Sequence, residues 1–226
     1  MNNLKKYRGF MVAFVLLAVV VGIAWQPLQL RIEKKQKQYL QSQLKMAILS
    51  IPELEQLPTF SLRDGDNAIF DNQRLIGKWS LLFFGYTHCP DVCPTELFGL
   101  NRLLEIMQEK SLTMPQVLFI SLDSHRDTPA VMKKYTEYFN PDFIGVSGEQ
   151  TAIDELARHF KVSHESVYYQ GEQLIRLKKG DKKPDDYIVN HSAWLYLINP
   201  QGKLHALLPS PHDNDLMLHE LQLLMN

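Results

Sequence analysis

The only two cysteines of this 226-residue chain stand four positions apart in the stretch 83–97, FFGYTHCPDVCPTEL. Cys89 and Cys93 therefore have only each other as partners within one chain. The apolar run 81–84 precedes them, a helical pattern follows, and Pro90 and Pro94 flank the pair, so they occupy a strand-to-helix turn. Proline is tolerated in a first helical turn because the amide it lacks has no partner there. The expected helix begins at about Pro94, with Cys93 near its N-cap. Backbone N–H groups and the positive end of the helix dipole then face both sulfurs and favour thiolate over thiol. Thiolates so placed are reactive groups or metal ligands. With Cα atoms about 6 Å apart they can close a disulfide or hold one metal, and the spacing leaves both chemistries open.

The elements that must position this turn are legible in the pattern. Residues 79–86 are nearly all apolar, which predicts a strand buried on both faces. The helix after the cysteines carries Leu97, Leu100, Leu103, Leu104 and Met107 as a core-facing stripe, with Glu96, Arg102 and Glu105 outside. Residues 117–122 predict a second buried strand. Thr128 caps a helix that starts at Pro129 and runs to about Phe139. A short strand over 143–146 and an amphipathic helix over 149–160 follow. Upstream, 59–62 and 68–70 read as a hairpin across Asp64-Gly65-Asp66, and downstream 162–177 reads as another that turns at Gln170-Gly171. Residues 178–186 form a charged loop. Residues 193–198 and 204–208 are paired strands, and 213–225 is a closing helix with Leu216, Leu218, Leu221 and Leu224 inward. Strands alternating with helices, then a terminal hairpin and helix, define an α/β class: a mixed sheet with helices on both faces.

Charge divides the chain. Residues 1–50 hold eight of the 24 Lys and Arg and one of the 25 acids, so 51–226 has 16 basic and 24 acidic residues, a net of about −8. An acidic domain argues against nucleic acid as a partner. Residues 1–8 form a short tail with Lys5, Lys6 and Arg8, and 9–25 reads as a transmembrane anchor. The uncharged run 10–25 spans about 24 Å, and Tyr7, Gly9 and Trp25 extend it toward the roughly 30 Å of a hydrocarbon core. The alternative is a cleaved signal peptide ending at Gly22-Ile23-Ala24. Residues 26–54 read as a stalk and linker, helical over 30–49 and closed by Pro52 and Pro58, leaving 55–226 as the folded domain.

Four stretches, FFGYTHCPDVCPTEL, ISLDSHRDTP, YFNPDFIGVSG and YIVNHSAWLYLINPQGKL, resemble the Sco/SenC family of copper chaperones. The resemblance covers about residues 55–210 and matches the layout of the membrane anchor. It implies a thioredoxin-like fold with an inserted β-hairpin, and a copper site of Cys89, Cys93 and His191. It also implies service to the dinuclear copper centre of cytochrome oxidase, whose copper-accepting subunit is then the partner, and an N-terminus inside. The protein would be single-pass in the inner (cytoplasmic) membrane, with its C-terminal domain on the extracytoplasmic, periplasmic side. One departure is visible, because Asn190 stands where the family usually has an aspartate before the histidine.

Residue chemistry is compatible with that site. Two soft thiolates and one imidazole suit Cu(I), and the histidine makes Cu(II) tolerable. Structural zinc is the weaker reading, since it wants four protein ligands. Of eight histidines, His191 is selected by the resemblance and expected at the start of the strand 193–198. His88, His125, His159, His164, His205, His212 and His219 read as surface or satisfied. Asp91 either stabilises a cation or caps the turn, and Asp123 with Arg126 suits a structural ion pair as well as a functional one. The alternative function is a membrane-tethered thiol-disulfide oxidoreductase in which Cys89 and Cys93 are the redox pair. In an oxidising compartment the pair closes to a disulfide bond unless a reductant or copper holds it open. A thiol peroxidase ranks last.

Overall fold

The structure, a computed structural model, describes residues 25–178 and 180–225. The expected tail 1–8 and all of the expected anchor 9–25 except Trp25 lie outside them. No helix among the described residues is long and apolar enough to cross a membrane. The chain divides into two units, Met1–Gln43 and Leu44–Asn226. Of the first, a helix (α1) runs through residues 25–43, with Leu28, Leu30, Ile32 and Tyr39 exposed along it. The expected helix 30–49 therefore ends at residue 43.

The second unit opens with β1 (Ile48–Leu49), α2 (Pro52–Glu55), β2 (Ser61–Asp64), β3 (Ile69–Asp71) and a 3₁₀ turn (Asn72–Leu75). Its centre is β4 (Ser80–Gly85), α3 (Val92–Glu109), β5 (Gln116–Ser121), α4 (Pro129–Phe139), β6 (Ile144–Ser147) and α5 (Gln150–His159). It closes with β7 (His164–Gln170), β8 (Gln173–Arg176), β9 (Ile188–His191), β10 (Leu195–Ile198), β11 (Leu204–Leu208) and α6 (Asn214–Leu224). Eight strands form one sheet in the order β1-β11-β10-β4-β5-β6-β2-β3, while β8-β7-β9 form a separate small sheet. Only β4, β5 and β6 run parallel.

Every residue of β4 is buried, as a central strand covered on both faces requires. Successive side chains of a strand point to opposite faces, and the aromatic contacts show the division. Phe83 packs on Phe119, which stacks on Tyr135 of α4, whereas Phe84 packs on Phe160 after α5 and on Tyr196 of β10. This is the expected mixed sheet flanked by helices. The expected hairpin of 162–177 is present as β7 and β8, but β9 joins it as a third strand. The reading of 193–198 as His191's own strand is therefore corrected: His191 ends β9, and β10 starts only at Leu195.

The closing helix also differs from its expected face. Met217, Glu220, Leu221 and Leu224 are buried, while Leu216 and Leu218 are only half-buried. Glu220 is turned inward because its carboxylate accepts the backbone amides of Lys45 at 2.7 Å and Ala47 at 2.9 Å. That contact, together with the pairing of β1 with β11, draws residues 44–49 into the domain. Glu220→Ala leaves two inward amides without an acceptor and is expected to lower stability by about 2–4 kcal/mol. Denaturant titration of Glu220→Ala beside Glu220→Gln, which keeps one acceptor oxygen, checks this. Equal midpoints for wild type and Glu220→Ala would contradict the clamp.

Candidate metal centre

β4 delivers the chain into the cysteine turn, and several contacts fix where the turn lies. Gly85 closes the strand at a point where a Cβ would sit 2.7 Å from the Cys93 sulfur and 2.5 Å from Phe119 Cε2. Only a residue without a side chain lets that sulfur approach the strand so closely. Thr87 is pinned by Asp127, which is wholly buried: the Thr87 amide donates to Asp127 Oδ2 at 3.1 Å, and the Thr87 hydroxyl donates to Oδ1 at 2.5 Å. The Ser121 hydroxyl donates to the same carboxylate at 2.7 Å. The Cys89 amide then donates to the Tyr86 carbonyl at 3.2 Å and tightens the bend.

The helix starts at Val92, two residues before the expected Pro94, so Cys93 lies inside the first turn. Asp91 occupies the N-cap position, but its side chain makes no cap bond, so the expected capping of the turn is not seen. The acceptor is the Cys89 sulfur, 3.5 Å from the Cys93 amide nitrogen. Cys89 is half-buried and Cys93 fully buried, and both are free thiols. His191 reaches them from β9, with Nε2 3.5 Å from Cys93 Sγ. Its Nδ1 lies 3.2 Å from the Ser192 carbonyl, which only accepts, so Nδ1 carries the proton and the Nε2 lone pair faces the sulfurs.

The ligand atoms of Cys89, Cys93 and His191 all lie within 4.8 Å of one another, and among the described residues no fourth side chain joins them. Two sulfurs and one imidazole nitrogen make a soft, three-point set that suits Cu(I) better than zinc. The other histidines stand elsewhere. His88 is exposed, its ring beside the Thr87 hydroxyl at 3.1 Å, and His212 is paired with Glu96 at 2.9 Å. His159 contacts the Leu54 carbonyl and His164 pairs with Asp154. Asp123 and Arg126 do pair, at 2.6 Å. Asp127 was not legible as a site residue, because Thr87 and Ser121 meet it only when β4 and β5 align.

The two sulfurs do not titrate alike. A hydrogen bond from the Cys93 side chain, opposed by burial and aided by the Cys93 and Asp91 amides, lowers the Cys89 thiol to about 3. Donation to Cys89, burial and the Cys89 charge push Cys93 upward. Cys89 is thus the sulfur held toward thiolate and Cys93 the one held toward thiol.

A strand-to-helix turn with two thiols, facing an imidazole from the small sheet, gives a thioredoxin-like arrangement whose donors suit a soft metal. The chain belongs to the SCO1/SenC family, whose model matches residues 52–226. It is 37% identical over 144 residues to the SCO2-like protein of Rickettsia felis, covering 64% of each chain. It is 35% identical over 164 residues to the mitochondrial protein SCO2 of Saccharomyces cerevisiae, covering 72% of this chain and 50% of that one. The chain thus spans less than two thirds of the length of these curated relatives. Among solved structures it is similar to Arabidopsis thaliana ScoI with copper bound. The TM-score is 0.62 at 30% identity, over 73% of this chain and 97% of that one.

A depressed Cys89 is a thiolate throughout the neutral and mildly acidic range, whereas an ordinary thiol at about 8.5 is protonated there. Iodoacetamide is therefore expected to label Cys89 and spare Cys93 in the reduced protein, with a rate that stays nearly flat from pH 8 to pH 5. Peptide mass mapping across that range checks this, and a tenfold fall per pH unit would contradict it.

Proposed function

We propose that this protein is a membrane-anchored copper chaperone that takes copper on Cys89, Cys93 and His191 and helps assemble the dinuclear copper centre of cytochrome oxidase. The observation that carries the reading is the convergence of two sulfurs and an imidazole lone pair within 4.8 Å, with the tautomer set by the Ser192 carbonyl. The copper-bound state of the Arabidopsis relative supports copper as the cargo. Cys89 offers the accessible edge, because it is half-buried and already anionic. Copper meets this thiolate first, Cys93 gives up its proton as its sulfur binds, and His191 completes the set through Nε2. Release runs in reverse: an acceptor's ligands displace the groups one at a time, beginning with His191 and ending at the exposed Cys89 sulfur. Cu(I) is satisfied by two sulfurs, whereas Cu(II) calls for the nitrogen as well.

Residues 9–25 are proposed as a single transmembrane helix with 26–54 as the stalk, which leaves 55–226 on the periplasmic side. The apolar run and the resemblance support this. Insertion by apolar burial is not screened by salt, so the full-length protein is expected to remain with the membrane through high-salt and alkaline washing. A mature N-terminus at Trp25 would instead establish cleavage.

The contrast between the two thiols favours one second reading, a thiol-disulfide oxidoreductase. Cys89 thiolate would attack a partner's disulfide and release one partner thiolate; Cys93, once deprotonated, would attack the mixed disulfide and release the other. An external thiol reductant must then restore the pair. His191 separates the readings. In the full-length protein, His191→Ala is expected to weaken Cu(II) binding far more than Cu(I) binding and to abolish support of oxidase assembly, while reduction of a model disulfide persists. Copper titration, an assembly assay and a disulfide-reduction assay on the same variant check this. Full assembly without the histidine would favour the reductase.

A further inference from the structure

The cysteines and the histidine come from different sheets. The cysteine turn follows β4 of the eight-stranded sheet, while His191 ends β9, whose only ladder partner is β7. Neither ladder pairs the two directly: β10, which pairs with β4 at Leu195 and Phe83, begins four residues after His191. On the other side of His191, a buried cluster just before β9 spans the gap. Tyr187 is 2% exposed, its hydroxyl donates to the wholly buried Asp123, and its carbonyl accepts from Arg126 Nη1 at 3.0 Å. Arg126 Nε also donates to Asp123 Oδ2 at 2.6 Å, so one planar guanidinium holds the loop after β5 and the backbone before β9 together. That plane is layered between two rings: its carbon lies 3.6 Å from the Tyr187 centroid and 5.7 Å from that of Tyr86. Tyr86 in turn stands edge-on to the His191 ring, with centroids 6.1 Å apart.

The other side of the segment is weakly supported. Lys182, Lys183, Pro184 and Asp185, with Tyr168 of β7, line a cavity of about 450 Å³, so the approach to β9 does not pack on the small sheet there. The Arg126 cluster, with Lys183 over the Tyr187 ring and 3.5 Å from Asp123, is one attachment, and the Tyr86 side chain bonded to the Val189 backbone is another.

We propose that Arg126 and Tyr187, joined through Asp123, are positioning residues for His191: they hold β9 against the cysteine turn and so decide whether the site presents three ligands or two. The inference rests on the copper reading above for its consequence, but not for its geometry. Lysine cannot replace the arginine, because a single ammonium cannot hydrogen-bond Asp123 and the Tyr187 carbonyl as a flat fork while stacking on both rings. The competing account is that the cluster is a structural ion pair that adds stability and leaves the imidazole where it is.

The test uses full-length protein in detergent, with Arg126→Lys and the milder Tyr187→Phe, which removes only the hydroxyl and leaves Asp123 paired. Two signals are read in folded protein. Without metal, diethylpyrocarbonate labelling of His191 is followed by mass spectrometry against exposed His125; the rate at His191 is expected to rise several-fold in Arg126→Lys and less in Tyr187→Phe. With copper, Cu(II) affinity in Arg126→Lys is expected to fall about 10- to 100-fold, the range for groups that orient a metal ligand, and nitrogen hyperfine coupling should weaken. Cu(I) should stay at one per chain. A loss of thermal stability with unchanged labelling and unchanged Cu(II) signals overturns the proposal. If the wild type takes no copper, the copper reading fails, and the labelling decides the positioning role alone: an unaltered rate at His191 refutes it.

Discussion

The sulfur of Cys89 occupies the place where a helix start usually has the oxygen of Ser, Thr, Asp or Asn. It accepts the Cys93 amide at 3.5 Å, while the side chain of Asp91, the nominal N-cap, makes no such bond. A first helical turn has donors without partners, and a thiolate needs donors around it, so one contact meets both requirements. The rest of the site follows from keeping it. β4 must end at Gly85 for the Cys93 sulfur to lie against the strand, and Asp127 must hold Thr87 for the bend to reach Cys89. The Cys-x-x-x-Cys spacing then places the second sulfur one turn on, beneath the first.

Much of this could be read from local pattern. β4, β5, α3 and α4 are set by apolar runs and by a 3.6-residue period, and their residues sit close to where those patterns put them. Four features had no local signal. His191 is one of eight histidines, and only the motif around it singled it out. Residues 193–198 read as the strand that His191 starts, yet His191 ends β9, which pairs with β7, while β10 pairs with β4 and β11. Glu220 looks like a solvent residue on a helix, and its burial depends on two amides from the other end of the domain. Asp127 serves Thr87 from forty positions away, a relation that no window of sequence contains.

The division of ligands between two sheets sets the character of the centre. The sulfurs are four residues apart on one rigid turn and stay together whatever the small sheet does. The imidazole is present only while β9 is held in place. Two sulfurs held together suit Cu(I), and in the copper reading proposed above a third ligand that can move away would suit a cargo that has to leave. A tightly built four-ligand cage, such as a structural zinc site, would oppose release.

The same imidazole has opposed duties in the two candidate chemistries. With Cys93 protonated, either chemistry must at a later step remove that proton, and among the described residues the basic nitrogen beside that sulfur is His191 Nε2 at 3.5 Å. For thiol exchange, the nitrogen can keep the proton, since the Cys93 thiolate then attacks the Cys89 sulfur of the mixed disulfide, expels the partner's thiolate and needs nothing more from the ring. For metal binding it must pass the proton on, because the lone pair that accepted it is the one that ligates. Nδ1 offers no substitute, being occupied with the Ser192 carbonyl. A centre meant for copper therefore needs an outlet for that proton, and the half-buried edge at Cys89, rather than the closed floor at Gly85 and Phe119, is where water can take it.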